Sequence, residues 1–169
     1  HPHVSHDGKF VMVHNGVIEN FGTLKRFLTS KGIKFSSETD SEVLCNLIAY
    51  HYSELPEGSD RFVDAIRQAL SKCRGAYGIA VLCLDYPDTM IGARRGSPLV
   101  VGLGDDANFI ASDASAFVGR AKEAVFLNDG ELAILNGSDF RITTLEGQEA
   151  QAIAHPVDQV SEEVELGDF

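Results

Sequence analysis

Positive charge is scarce in this chain: 14 Lys and Arg stand against 25 Asp and Glu, a formal charge of -11 at pH 7. Such a balance repels phosphate backbones and anionic lipid, which argues against a nucleic-acid or membrane-surface partner. Long apolar runs are missing as well, and none approaches the ~20 residues of a membrane-spanning helix. Cysteine occurs at Cys45, Cys73 and Cys83 alone, an odd count without metal-type spacing. That disfavours a disulfide framework; buried free thiols in a reducing cytosol are expected, so the chain is placed in the cytoplasm. The start has no initiator Met, no signal peptide and no Cys, Ser or Thr, and His1-Pro2-His3 reads as the beginning of a piece cut from something longer. Internal repeats and low-complexity tracts are lacking too.

What is present suits one globular domain. A length of 169 residues with 44% hydrophobic content allows a substantial core and argues against disorder. The apolar run Phe10-Val11-Met12-Val13 predicts a strand over 10–14. Asn20 stands where it caps a helix over 21–31, with Leu24, Phe27 and Leu28 at helical spacing and Gly32 as its stop. Asp40 occupies the N-cap position ahead of Val43, Leu44, Leu47 and Ile48, and Pro56-Glu57-Gly58-Ser59 breaks that helix. A third helix is expected over 61–73, apolar at Phe62, Ala65, Ile66, Ala69 and Leu70.

Strands dominate after that, at 77–84, 90–94, 99–103, 109–112, 125–127, 131–135 and 141–145, with a short helix over 114–120. Gly104, Asn128-Asp129-Gly130, Asn136-Gly137 and Glu146-Gly147 mark turns between several of them. The continuous apolar run from Tyr77 to Leu84 implies burial on both faces. Helices early and strands later predict a layered α+β domain. From 158 onward Asp158, Glu162, Glu163, Glu165 and Asp168 face no basic residue, which reads as an acidic linker over 158–169.

Chemistry concentrates at Val13-His14-Asn15-Gly16. An Asn-Gly pair closing a strand sets a carboxamide donor beside an unhindered backbone N–H, a pair able to stabilise an oxyanion. The competing reading is a plain hairpin turn, which the helix-leading Val17-Ile18-Glu19-Asn20 weakens. His1, His3, His6 and His14 suggest a metal, but no Cys or acidic partner lies at ligand spacing, so neither metal nor other cofactor is expected. The glycine-rich run 96–104 lacks Gly-Lys-Ser/Thr and opens no helix; it is not a phosphate loop but a strand pair with close backbone packing. Arg94 and Arg95 read as a solvated edge or as partners of a carboxylate, Tyr77 and Phe109 as core, and Ser112-Asp113 as a cap for the next helix.

Five segments in order resemble one family: His1-Pro2-His3, His14-Asn15-Gly16-Val17-Ile18-Glu19-Asn20, Ser37-Glu38-Thr39-Asp40-Ser41-Glu42-Val43, Arg74-Gly75-Ala76-Tyr77-Gly78 and the run from Ala93 through Gly104 to Asp113. These resemble the glutaminase domain of class II glutamine amidotransferases, and the last is most like the glucosamine-6-phosphate synthase branch. The resemblance runs from His1 to about Gly137. It implies the N-terminal-nucleophile hydrolase fold, an αββα sandwich of two antiparallel sheets between helical layers. It also implies that an N-terminal Cys thiolate attacks the side-chain amide of L-glutamine, with its own α-amine as base, and releases ammonia from an acyl-enzyme. In that scheme the Asn15 amide and Gly16 N–H form the oxyanion hole, Asp40 pairs with the substrate's α-ammonium, and His1 lies at the rim of the pocket.

The family's opening Cys-Gly-Ile-Val-Gly strand, its Arg-Trp-Ala-Thr-His-type segment and its isomerase domain do not occur in these residues. The expectation is a partial glutaminase domain over 1–157, incomplete at its N-terminus, that does not hydrolyse glutamine by itself. Its partners are then L-glutamine and the isomerase domain of the same polypeptide. Bare apolar sheet surface would also permit a homo-oligomer. Two alternatives stay open: the glutaminase domain of an amidophosphoribosyltransferase, and a non-catalytic glutaminase-like binding or scaffold module.

Overall fold

A computed structural model describes residues 1–158. The acidic tail expected from 158 therefore falls, apart from its first residue, outside the described residues. Three helices form where apolar spacing predicts them: α1 over Phe21–Ser30, α2 over Asp40–Glu54 and α3 over Arg61–Ser71. Strands follow the order β1 His3–Val4, β2 Phe10–Asn15, β3 Tyr77–Cys83, β4 Thr89–Arg95, β5 Val100–Leu103 and β6 Asn108–Ala111. They continue as β7 Glu123–Phe126, β8 Glu131–Asn136, β9 Asp139–Thr144, β10 Glu149–Ala150 and β11 Ala154–Pro156. Among the described residues no helix is long and apolar enough to cross a membrane.

Two antiparallel sheets result. The larger has seven strands in the order β1-β2-β3-β4-β8-β9-β10, the smaller four in the order β11-β7-β5-β6. The helices cover one face of the larger sheet. Phe10, Met12, Ile79, Val81 and Ile91 enter that core beside Leu28, Leu44, Ile48 and Ile66. The other face of β8 and β9 contributes Ala133, Leu135 and Ile142, which meet Leu99, Val101 and Val125 from the smaller sheet. Beyond the smaller sheet, Val100 and Ala124 pack with Phe117 of a 3-10 turn. This is the layered α+β sandwich the sequence predicts, with close backbone approach where glycines allow it. A Cβ built on Gly102 would lie 2.8 Å from the Phe117 ring, and one on Gly92 2.9 Å from Ile110.

Several local expectations change. Asp40 is the first residue of α2 and not its cap; Thr39 caps it, its hydroxyl accepting the Glu42 N–H at 3.3 Å. The Thr-x-x-Glu spacing sets that start, because the cap must precede the residue whose N–H it accepts by three. Asn20 stands at the cap position of α1 but makes no cap bond; its carboxamide instead spans the Lys72 carbonyl at 2.8 Å and the Arg74 N–H at 2.9 Å. The helix expected over 114–120 is only a 3-10 turn, Ala114–Phe117, capped by Asp113 as anticipated. Strands β1, β10 and β11 were not expected; two or three residues carry no period to recognise.

Core positions and Arg94 fall as expected, but Arg95 is neither a solvated edge nor a carboxylate partner, because the Cys73 carbonyl and the Tyr77 ring hold it half-buried. Tyr77 is wholly buried and Phe109 is half-buried against the outer cluster. Arg94 meets Asp129 at 3.4 Å, while Arg95 donates to the Cys73 carbonyl at 2.7 Å and lies over the Tyr77 ring. All three cysteines are free and buried.

Candidate active site

Strand β2 delivers His14, Asn15 and Gly16. Alternation sends Phe10, Met12 and His14 inward under the helices and leaves Val13 and Asn15 exposed on the opposite face. Gly16 then leaves the strand at φ +110°, and a Cβ there would collide with the Ala76 carbonyl oxygen, so a side chain is excluded on two counts. Gly75, at φ +107°, allows the same close approach from the other side, against the Val17 carbonyl. Residues 16–19 therefore run tightly beside 74–76, joined by Ala76 N–H to Val17 O at 2.9 Å and Glu19 N–H to Arg74 O at 2.8 Å. The Asn15 carboxamide and the Gly16 N–H have no hydrogen-bond partner among the described residues, and both residues are exposed.

His1 and Asn15 line a common cleft of about 290 Å³ between the two sheets, with Gly78 and Ala80 of β3 on one side and Ile110 and Ser112 on the other. Gly16 and Asp40 are not among its lining residues. Asp40 nonetheless reaches the same loop: its Oδ2 accepts the Ile18 N–H at 2.8 Å, two residues beyond Gly16. Asp40 is half-buried, and its second carboxylate oxygen makes no hydrogen bond to the described residues.

The next two residues of α2 bind neighbouring segments. Ser41 Oγ lies 2.8 Å from His14 Nδ1, both groups buried. The buried Glu42 carboxylate accepts the Ser36 and Ser37 N–H groups at 2.6 and 2.9 Å and their hydroxyls at 3.1 and 2.9 Å. Burial raises the pKa of this carboxyl, but the four bonds outweigh it and hold the group below its ordinary value. The loop before α2 is thus fixed by the helix's own first turn. Burial also lowers the pKa of His14, partly countered by the Asp40 charge and the Ala76 carbonyl. Its Nε2 is buried without a hydrogen-bond partner.

Sequence reasoning treated His14 only as a candidate metal ligand and gave Ser41 and Glu42 no role. One signal pointed to the last of these, the capping-box spacing from Thr39 to Glu42. No signal in the order of residues pairs position 14 with position 41. Among the described residues no group of three or more His, Cys, Asp or Glu is arranged to hold a metal.

Helices over a double antiparallel sheet give the layered fold of the N-terminal-nucleophile amidotransferase class. A solved relative, glutamine phosphoribosylpyrophosphate amidotransferase from B. subtilis in complex with ADP and GMP, superposes with a TM-score of 0.66 at 28% identity, covering 84% of this chain and 30% of that one. Residues 1–119 match the glutamine amidotransferase domain model, and the chain belongs to that family. Among curated proteins it is similar to the isomerizing glutamine–fructose-6-phosphate aminotransferase of Chlorobaculum tepidum, 41% identical over all of this chain and 27% of that protein. The enzyme of the same name from Aquifex aeolicus is 40% identical over 96% of the chain, again 27% of the relative. The chain thus spans about a quarter of the length of the curated relatives it matches.

Proposed function

We propose that this chain is the glutaminase part of a glutamine–fructose-6-phosphate aminotransferase, releasing ammonia from L-glutamine for synthesis of glucosamine 6-phosphate. The observation that carries this reading is the pair of donors without a partner among the described residues, the Asn15 carboxamide and the Gly16 N–H, on a loop that runs close beside Ala76. When a thiolate attacks the carboxamide carbon, the carbonyl oxygen takes up negative charge, and these donors stabilise it. The carbon–nitrogen bond then breaks, the nitrogen leaves protonated as ammonia, and water cleaves the thioester to glutamate. The free oxygen of Asp40 meets the substrate's α-ammonium, and His1 flanks the cleft mouth. None of the three thiols in these residues is the nucleophile, since all are buried and internal and carry no free α-amine. The 169 residues alone are therefore inactive in this reading, and they act in the cytoplasm beside an isomerase domain of the same polypeptide.

The alternative assignment, an amidophosphoribosyltransferase glutaminase, draws support from the likeness to the B. subtilis structure. The identity of about 40% to the aminotransferases favours the first. Both are tested on the full-length gene product. Release of ammonia from glutamine with formation of glucosamine 6-phosphate from fructose 6-phosphate supports the proposal; amination of phosphoribosyl pyrophosphate instead transfers it to the rival. Asn15→Ala should lower kcat for glutamine hydrolysis by ~10²–10³ with little change in KM, because the oxyanion exists only along the reaction path. An unchanged kcat would remove Asn15 from the site.

A further inference from the structure

The exposed turn at Asn15-Gly16-Val17 makes no side-chain hydrogen bond of its own, yet the residues on either side of it are both held from the first turn of α2. Ser41 Oγ meets His14 Nδ1 at 2.8 Å before the turn, and Asp40 Oδ2 takes the Ile18 N–H at 2.8 Å after it. Consecutive helical residues so bracket the three residues 15–17. We propose that Ser41, acting through His14, is the positioning residue that sets the aim of the Asn15 and Gly16 donors, a claim that rests on the glutaminase assignment above.

The ring of His14 is the mechanical link. It is buried, one residue from Asn15, with Nδ1 on Ser41 Oγ and Nε2 buried without a hydrogen-bond partner, and the Ala76 carbonyl lies close enough for its dipole to act on the ring. The same carbonyl oxygen is the atom a Gly16 Cβ would strike. The Ala76 carbonyl thus lies near both the His14 ring and the backbone of Gly16, so a rotation of the imidazole would be passed to Gly16 through it. The Ser41 hydroxyl can donate to Nδ1 or accept from it according to the imidazole tautomer, and either way it is the ring's one side-chain hydrogen bond among the described residues. A pair bonded on one edge only can pivot, and Ser41 supplies that one bond. Asp40 and Ser41 then divide the labour: the first meets the ground-state ammonium, the second orients donors used only when charge develops.

The test compares Ser41→Ala with Ser41→Thr, which keeps the hydroxyl. In the full-length gene product Ser41→Ala should lower kcat for glutamine hydrolysis ten- to a hundredfold, of the order that a displacement of about 1 Å costs, with KM within about threefold. Ser41→Thr should recover most of the loss. In the 169-residue chain, backbone and side-chain amide relaxation should show the Gly16 N–H and Asn15 carboxamide becoming mobile in Ser41→Ala, order parameters falling from about 0.85 toward 0.6, with the strands of the sheet unchanged. A rise in KM alone, an unchanged kcat in a folded variant, or unchanged relaxation at residues 15 and 16 overturns the proposal. If the unsubstituted gene product releases no ammonia, the glutaminase assignment fails, while relaxation still decides whether Ser41 orders the turn.

Discussion

Asp40 Oδ2 accepts the backbone N–H of Ile18 at 2.8 Å, a bond across 22 positions of sequence that ties the start of α2 to the loop leaving β2. One oxygen serves the fold; in the proposed function the other meets the substrate's ammonium. The two roles separate by substitution. Asp40→Asn keeps an acceptor for Ile18 but loses the charge, so KM for glutamine should rise at least tenfold while thermal stability stays close to that of the parent. Asp40→Ala should raise KM similarly and also destabilise by about 1–2 kcal/mol, because the Ile18 N–H loses its partner. Equal stability of the two variants would show that the bond contributes nothing; an unchanged KM in both would remove the carboxylate from substrate binding.

Gly16 is held at φ +110° with the Ala76 carbonyl where a side chain would begin. Gly16→Ala therefore meets a backbone clash and an unfavourable dihedral together, and denaturant titration should show a loss of about 1–3 kcal/mol. Gly8, also at positive φ (+72°) but with open space around it, isolates the dihedral contribution. Gly8→Ala should cost less. Equal losses at the two positions would mean that the contact with Ala76 relaxes freely.

Much of this architecture was legible because its signals are periodic. Leu24 and Leu28, or Phe62, Ile66 and Ala69, repeat at helical spacing; Phe10, Met12 and His14 alternate with the more exposed Val11, Val13 and Asn15. The Asn15-Gly16 pair was visible as a residue type suited to a donor pair, while Asp40 by its position alone read as a helix cap and took its ammonium role only from the family resemblance. The illegible parts depend on contacts remote in sequence. Asn20 stands where a cap belongs, but its amide finds better partners 52 and 54 positions away, at Lys72 and Arg74. Residue 40 is a helix start by composition, yet the Thr39 hydroxyl takes the cap and frees Asp40 to bond Ile18. Serine 41 shows no pattern at all, since its importance comes from which histidine folds against it.

Acid should destabilise the chain in two stages. Burial lowers the pKa values of His14 and His51 from an ordinary 6.5, with Asp40 and the Ala76 carbonyl opposing it at His14 and Gln68 opposing it at His51. Below pH 6.5 the unfolded chain binds protons that these folded imidazoles refuse, so stability is present above that pH and falls as pH drops toward the lowered values. The carboxyls of Glu42 and Asp7 also have lowered values; burial opposes ionisation, and serine and backbone donors overcome it. Their contribution is present above about pH 4.5 and is lost in a second, more acid stage. Urea midpoints measured from pH 8 to 3 should show both, and His14→Gln should flatten the first. A midpoint independent of pH between 7 and 5 would contradict the buried neutral state of His14.

The cysteines offer a check on where the nucleophile cannot lie. Burial pushes the Cys45 thiol to about 12, with the Asp7 and Glu42 charges adding to the effect. Cys73 is raised to about 12, again by burial, which Arg95 offsets only in part, and Cys83 is raised for the same first reason. Two of the thiols also lie against carbonyl oxygens, Cys45 at 3.8 Å from His3 and Cys73 at 3.3 Å from Ala69, whereas at Cys83 backbone hydrogen bonds from Asp85 and Tyr86 offset burial in part. A thiolate must form before it attacks an amide, and buried thiols in contact with carbonyl dipoles resist forming one. Iodoacetamide at pH 8 should therefore leave all three unmodified in the folded chain and alkylate all three in denaturant, read by mass spectrometry. Labelling of any one thiol within minutes under native conditions would reveal an accessible thiolate and reopen the assignment of the nucleophile to a residue outside these positions.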